Sequence, residues 1–535
     1  MINTLPRHRT YLILFLFVMV AMGVNIRKAV HIDDSAYLQI AKAIILDPLH
    51  PLSQEINWGN TTEPIFAINQ PLFIPYVYAI LIRLFGYSEL VLHLFIAFCT
   101  GLAALFFHLI LIFFRVRNPL FLTGLFILGP AFLPEQNLMV DVPLIASWLV
   151  FYWAILTAEK REGRYFLAGI AVSIACLCKY TSLVLLPVFL FVILFRRHWR
   201  SLWTLGIPVL ILLLWSAFNY YDVGAIHMFG RPSPILTTQT VAYRLISWIA
   251  GIGSVAPFII SFIYLNRSSR LDLGWLIISI AGGVLLYLFM VRTGQKIFAF
   301  YWTPFFIAGV FLNGMAISLL IRNLRAAWRA GDRETIIQEG LLGLWIAGTT
   351  AFIILFSPFI AIRHILLVIP PFLILLGRNL SQRGYVVSRD AFSFGLTVLL
   401  GLVLAISDYV YADIYRDYAY IIKDDLPSNE LVYQTGHWGW EWYSLDAGMI
   451  QYDTEKSRLR KGNYLVIPTA VAGQQISPKQ VPHLQEVERI NIPAPAATWL
   501  RTMSGGGYYA FGFPHSTPWM FSKAPFEFVI YRVRE

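Results

Sequence analysis

Up to about residue 408 the chain is a series of long apolar runs joined by short polar connections, many of them basic. Runs of this length without charges predict membrane-spanning helices. We read roughly thirteen spans: 10–27, 89–114, 118–135, 142–158, 165–178, 180–195, 201–218, 241–264, 271–291, 297–320, 340–357, 362–377 and 391–408. Arg115/Arg117, Lys160/Arg161/Arg164, Arg196/Arg197/Arg200, Arg267/Arg270, Arg322/Arg325/Arg329/Arg333 and Arg378/Arg383/Arg389 fall on alternate connections. Placing these and the N-terminus in the cytoplasm satisfies the positive-inside rule. Residues 1–25 carry Arg7 and Arg9 before an apolar run but no small-x-small cleavage site follows, so they read as an uncleaved first helix.

The segment "QPLFIPYVYAILIRLFGY" (70–87) is apolar enough to span, but counting it would invert every later loop. It also carries Pro71, Pro75 and Arg83, and reads as an interfacial or re-entrant helix within a long first outer loop, 28–88. After residue 408 the texture becomes polar and aromatic. Strand-like runs ("LVYQTG", "NYLVIP", "VERINIP", "FEFVIYRV") accompany one helical candidate, "WGWEWYSLDAGM". The expected division is therefore a membrane domain, 1–408, and a small α+β extracytoplasmic domain, 409–535.

Composition agrees with a polytopic membrane protein: 58% of the residues are hydrophobic and 13% charged, with a mean hydropathy of +0.64. The net charge of +11 needs no nucleic-acid partner, since basic residues gather in the connections assigned to the cytoplasm. Cys99, Cys176 and Cys178 lie in apolar stretches and read as small core residues.

Ionisable residues avoid the proposed membrane interior. Asp33, Asp34, Asp141, Lys179, Lys296, Arg363 and His364 fall at the outer ends of spans, a layout suited to chemistry at the outer interface on a substrate with one end in lipid. Each residue also has a structural reading. Asp34 could cap the helix "SAYLQIAKAI", and Asp141, followed by Val-Pro, could cap the next span. Lys179 could snorkel, though the two closely joined spans beside it leave little loop. Arg363 and His364 could anchor the interface at the start of a span whose pattern ends in Pro370-Pro371. His31, His93 and His108 have no partner at ligand spacing and read as structural.

Taken in order, these residues resemble a known group. An acidic pair after the first span, Asn69-Gln70-Pro71-Leu72, Asp141-Val-Pro-Leu, Lys179 at a short hinge and Arg363-His364 before Pro-Pro together resemble the family 39, GT-C glycosyltransferases. These include the protein O-mannosyltransferases and the bacterial aminoarabinose transferases of lipid A. "GHWGWEWYSLDAG" (436–448) resembles a motif of bacterial members with a C-terminal outer domain. The resemblance implies an inverting transfer from a polyprenyl-phosphate sugar donor to an extracytoplasmic acceptor (lipid, glycan or protein) in cell-envelope glycosylation, with the protein in the cell (inner) membrane. It implies Asp33, Asp34 and Asp141 as catalytic residues, with Asp33 as the catalytic carboxylate and Asp34 or Asp141 orienting the acceptor or sugar. Lys179, Arg363, His364 and Tyr37 fall on the donor side, and Asn69 and Gln70 on the acceptor or loop-positioning side. Ala36 stands where aminoarabinose transferases have Arg, and Asn69-Gln70 replaces their usual Lys-containing motif, so the sugar stays open.

On this reading Asp33 takes the acceptor proton while Lys179 and Arg363 stabilise the departing phosphate. No cofactor is implied with certainty; a divalent metal beside the carboxylates stays open, although no ligand spacing supports one. Two other classes share features of the chain. A transporter or flippase for a lipid-linked sugar would share the topology, and a scaffold could bind glycan through Trp438, Trp440, Trp442, Tyr443, Tyr508 and Tyr509.

Overall fold

A computed structural model describes residues 6–68, 70–231, 234–263, 270–383, 385–503 and 506–534. The helices are α1 (Arg7–Asn25), α2 (Asp34–Leu46), α3 (Phe73–Phe85), α4 (Glu89–Phe113), α5 (Pro119–Ile127), α6 (Asp141–Thr157), α7 (Arg164–Cys178), α8 (Leu185–Arg196) and α9 (Gly206–Val223). They continue as α10 (Thr238–Ser254), α11 (Arg270–Arg292), α12 (Lys296–Ala330), α13 (Arg333–Phe356), α14 (Ile362–Ile365), α15 (Ile369–Arg383), α16 (Val387–Asp425) and α17 (Trp438–Asp446). Among the described residues, seven helices are long and apolar enough to cross a membrane. Several others that the hydropathy pattern counts as spans are shorter, such as α6 and α7 at 17 and 15 residues. The expected count of about thirteen is therefore not reproduced by helix length.

Three differences from the expected boundaries matter for the site. The run at 118–135 is helical only over Pro119–Ile127. Gly129 and Pro130 follow, and proline cannot donate the next helical hydrogen bond. The irregular stretch from 128 to 140 is buried in protein, the condition under which a non-helical backbone is tolerated at membrane depth. The Pro370-Pro371 pair opens α15 rather than ending a span, since proline is tolerated in a first turn. Finally, α16 does not stop at 408; it runs 39 residues, about 58 Å at 1.5 Å per residue. That exceeds a hydrocarbon core of about 30 Å, so "DYVYADIYRDYAYIIKDD" is a helical extension of the span. The segment at 70–87 forms the short helix α3, which packs against α2.

Small residues set the closest helix crossing. A Cβ on Gly253 of α10 would stand 1.9 Å from the Phe305 carbonyl oxygen, and one on Gly309 of α12 would stand 1.9 Å from that of Ile249. Backbone is thus laid on backbone, as small residues allow between apolar helices.

Two short strands, β1 (Glu55–Ile56) and β2 (Glu63–Pro64), form a hairpin in the loop between α2 and α3. After α16 come β3 (Val432–Gln434), β4 (Ile450–Gln451), β5 (Tyr464–Pro468), β6 (Leu484–Ile492), β7 (Leu500–Arg501), β8 (Met520–Phe521) and β9 (Phe526–Val533). Five of these form a mixed sheet in the order β4-β3-β5-β9-β6. β3 is parallel to both β4 and β5, while β9 is antiparallel to β5 and β6. Helix α17 makes the crossover between β3 and β4, as parallel strands require. This region packs directly on the loop after α1: a Cβ on Gly439 would meet the Val30 carbonyl oxygen at 2.0 Å, and the Val30 N–H donates to the Tyr443 hydroxyl at 2.8 Å.

Replacing Gly309 with Val should separate α10 from α12, because the added atoms meet backbone and not a movable side chain. We expect a loss of about 1–3 kcal/mol or more, read as a lower thermal midpoint in detergent. Gly274, whose Cβ position is open, should accept Ala with little change.

Candidate active site

The chain leaves α1 and reaches α2 through residues 26–33. Ile32 lies at φ 48°, a left-handed backbone that a β-branched residue adopts only under strain. The sharp turn there sends the two neighbouring carboxylates in different directions. Asp34 points inward, 1% exposed, and its Oδ2 accepts the His31 N–H at 3.0 Å. Burial holds its carboxyl well above the usual carboxylate range. Asp33 points outward to a cavity, with its side chain 30% exposed, and its Oδ2 pairs with Nη1 of Arg363 at 3.0 Å.

A second pair lies beside the first. Lys179 is the extended residue between α7 and the turn that opens α8. Its Nζ donates to Asp141 Oδ1 at 3.0 Å. Neither expected cap forms: Asp34 and Asp141 are the first residues of α2 and α6 rather than the residues before them, and neither helix has a side-chain cap at its N-terminus. Asp33 and Asp141 instead face cations from distant segments.

Asp33, Lys179, Arg363, His364 and Tyr37 line one cavity of about 270 Å³. Phe352, Phe356 and Phe359 give it an apolar wall, and the β1–β2 hairpin contributes Trp58 and Glu63 on another side. Gln70 also lines it, and its Oε1 is buried without a partner. Asn69 lies outside the described residues.

Some expected positions differ. Asp34 does not line the cavity, because the turn at Ile32 directs it into the protein. Asp141 stands behind Lys179 as its counter-ion and is not part of the lining. Lys296, at the start of α12, is exposed and away from the cavity. Trp440, Trp442, Tyr443, Tyr508 and Tyr509 are buried in the interior and offer no open platform for glycan. His31 has a partner, Asp408 Oδ1 at 3.2 Å from its Nε2.

The structure adds residues that the sequence reading passed over. Arg231, in the loop after α9, lines the cavity; its guanidinium lies 5.2 Å from the Tyr180 ring centre and its Nε is buried without a hydrogen-bond partner. The stretch before it, "VGAIHMFG", carries no motif, so only its single charge in an outer loop could have flagged it. Glu135 lies in the irregular stretch after α5, 1% exposed, with neither carboxylate oxygen hydrogen-bonded. It sits at the end of a run that reads as a span. Among the described residues no group of three or more His, Cys, Asp or Glu side chains is arranged to hold a metal ion.

Comparison with known proteins bears on this site. Residues 69–221 match the family described as dolichyl-phosphate-mannose-protein mannosyltransferase. No curated protein matches the chain in sequence. Among solved structures, the chain is similar to ArnT from Cupriavidus metallidurans bound to undecaprenyl phosphate, with 17% identity, a TM-score of 0.40, and 85% of this chain and 93% of that one covered. It is also similar to the Archaeoglobus fulgidus oligosaccharyltransferase in complex with Zn and sulfate, with 12% identity, a TM-score of 0.44, and 85% and 68% covered. Likenesses this distant carry no argument about residues. The family match is confined to residues 69–221, the part of the chain that carries Asp141 and Lys179.

Proposed function

We propose that the protein is an inverting membrane glycosyltransferase that moves a sugar from a polyprenyl-phosphate carrier to an extracytoplasmic acceptor, a lipid, glycan or protein. Its membrane part is 1–408, its C-terminal domain 409–535 lies outside the cytoplasm, and it works in the cell (inner) membrane. The observation that carries this reading is the gathering of Asp33, Lys179, Arg231 and Arg363 at one cavity beside an apolar wall. A flippase needs no such alignment of a carboxylate with three cations, and it is not favoured.

Charge counting shows why the set suits this reaction. The ion-paired carboxylates Asp33 and Asp141 bring two negative charges and Lys179, Arg231 and Arg363 three positive ones, while Glu63 on the hairpin is exposed and screened by solvent. A sugar phosphodiester, one negative charge, makes the occupied site neutral. In the transfer, an acceptor oxygen bonds to the anomeric carbon from the face opposite the phosphate. The bond from that carbon to the phosphate oxygen breaks, its electron pair stays on the phosphate, and the acceptor proton passes to Asp33. The leaving monophosphate gains one negative charge as Asp33 loses one, so the site stays balanced. Arg363 offers a planar fork for phosphate oxygens. Engaging them draws it from Asp33 and frees that carboxylate as the base. Phe352, Phe356 and Phe359 give the first isoprene units an apolar surface. Asp141 holds Lys179 in place, and removing it would leave a buried cation unpaired. Tyr37, Gln70 and His364 complete the walls, and Asn69 precedes Gln70 in sequence.

A deletion strain examined by envelope mass spectrometry identifies the missing sugar and its acceptor. With that donor and purified protein, Asp33→Asn should cut transfer by roughly a hundredfold or more while donor still binds. Wild-type rates in Asp33→Asn would remove Asp33 from the mechanism.

Asp34→Asn should behave differently, keeping transfer near wild type. Because the folded carboxyl of Asp34 is raised by burial, folded protein holds a proton that the unfolded chain loses above about pH 3.9. Stability therefore falls as pH rises from there toward the folded value. Removing the group should make the thermal midpoint fall less between pH 5 and pH 8 than in wild type; an equal or steeper fall contradicts this.

Arg231→Gln should weaken binding of a polyprenyl monophosphate by about tenfold or more, a loss of one charge-assisted contact, measured by microscale thermophoresis in detergent. Unchanged affinity would exclude Arg231 from the phosphate site.

A further inference from the structure

Both halves of the Asp33–Arg363 pair are held from behind by the C-terminal region. On the Asp33 side, α17 grips the loop at Val30 through the Tyr443 hydroxyl and the close approach of Gly439. On the Arg363 side, the segment after β7 grips the approach to α14. The Ile362 N–H donates to the Tyr508 carbonyl at 2.9 Å, and the Phe511 N–H donates to that of Ile360 at 2.9 Å. Tyr508 also donates through its hydroxyl to the Pro130 carbonyl at 2.8 Å.

One buried carboxylate joins the two grips. Asp408 of α16 is fully buried. It accepts from Lys28 Nζ at 2.5 Å and contacts His31 Nε2 at 3.2 Å, both on the loop that leads to Asp33. It also accepts from Thr502 Oγ1 at 2.6 Å and from the Tyr509 hydroxyl at 2.5 Å, both on the segment that leads to Ile360 and Arg363. The Tyr509 hydroxyl in turn accepts from Asn137 Nδ2 at 2.8 Å, which ties in the irregular stretch before Asp141. None of these residues lines the cavity.

We propose that Asp408, with Thr502 and Tyr509, is a positioning centre through which the C-terminal region sets the geometry of Asp33 and Arg363. The proposal rests on the reading of the cavity as a lipid-phosphate site. Its physical content is that a buried carboxylate with four partners, one ammonium, one imidazole and two hydroxyls, is costly to leave partly satisfied. Its partners are therefore held in a fixed relation, and the segments carrying Asp33 and Arg363 inherit it. A fold that needed only to bury α16 could use an apolar residue at 408.

The test is binding of undecaprenyl monophosphate to full-length protein in detergent. Thr502→Val removes a hydroxyl at nearly constant shape, Thr502→Ser keeps it, and Tyr509→Phe removes the phenol. Thr502→Val and Tyr509→Phe should each bind about tenfold more weakly, and Thr502→Ser within about twofold of wild type. In an Arg363→Lys background, where the fork is already lost, Tyr509→Phe should add little, since its effect passes through Arg363. A destabilised fold would instead weaken binding to the same extent in both backgrounds. That result, or wild-type affinity in Thr502→Val and Tyr509→Phe, overturns the proposal. If wild-type protein itself fails to bind the lipid phosphate, the functional reading falls and this inference with it; the two failures are thus distinguishable.

Discussion

An ion pair between Asp33 and Arg363, residues 330 positions apart and 3.0 Å from each other, is the constraint on which the site depends. Leaving either of these largely buried charges unpaired would be costly, because desolvation costs several kcal/mol per ion. The fold must therefore bring the loop after α1 to the start of α14, and the hinge after α7 to the start of α6, where Lys179 meets Asp141. These requirements fix four distant segments around one cavity. The paired charges at this cavity are those a phosphate would rearrange.

The surrounding structure shows how a mainly apolar chain meets that requirement. Glycines let α10 and α12 lie backbone to backbone. The break at Gly129-Pro130 ends α5 early and frees a buried, irregular stretch that leads to Asp141. The long helix α16 carries the chain out to the mixed sheet while keeping Asp408 in the interior. From the sheet, α17 and the segment around Tyr508–Phe511 return to the membrane part.

Much of this is legible in the sequence because hydropathy is a strong, local signal. The runs near α1, α4, α11 and α12 are predominantly apolar, and the strand-like runs of the C-terminal sheet are set off by turn residues. Asp33, Lys179 and Arg363 stand out because charges are rare beside such runs. What local pattern cannot show is direction. Asp33 and Asp34 are chemically the same and adjacent; only the strained turn at Ile32 separates a cavity-facing carboxylate from a buried one. Nor can it show long-range partners. Asp408 falls where the apolar texture ends and reads as a helix terminus, although four groups from two remote segments converge on it. Arg231 has no neighbouring motif, and its role follows only from the cavity it lines.

The central claim is that these cations receive a lipid phosphate and that its arrival releases Asp33. An experimental structure of the full-length protein with undecaprenyl monophosphate, by electron cryomicroscopy in lipid nanodiscs, measures this directly. The account predicts phosphate density between Lys179, Arg231 and Arg363, with the tail over Phe352 and Phe356 and the Asp33–Arg363 distance lengthened. Phosphate bound elsewhere on the protein, with that ion pair still closed, would contradict it.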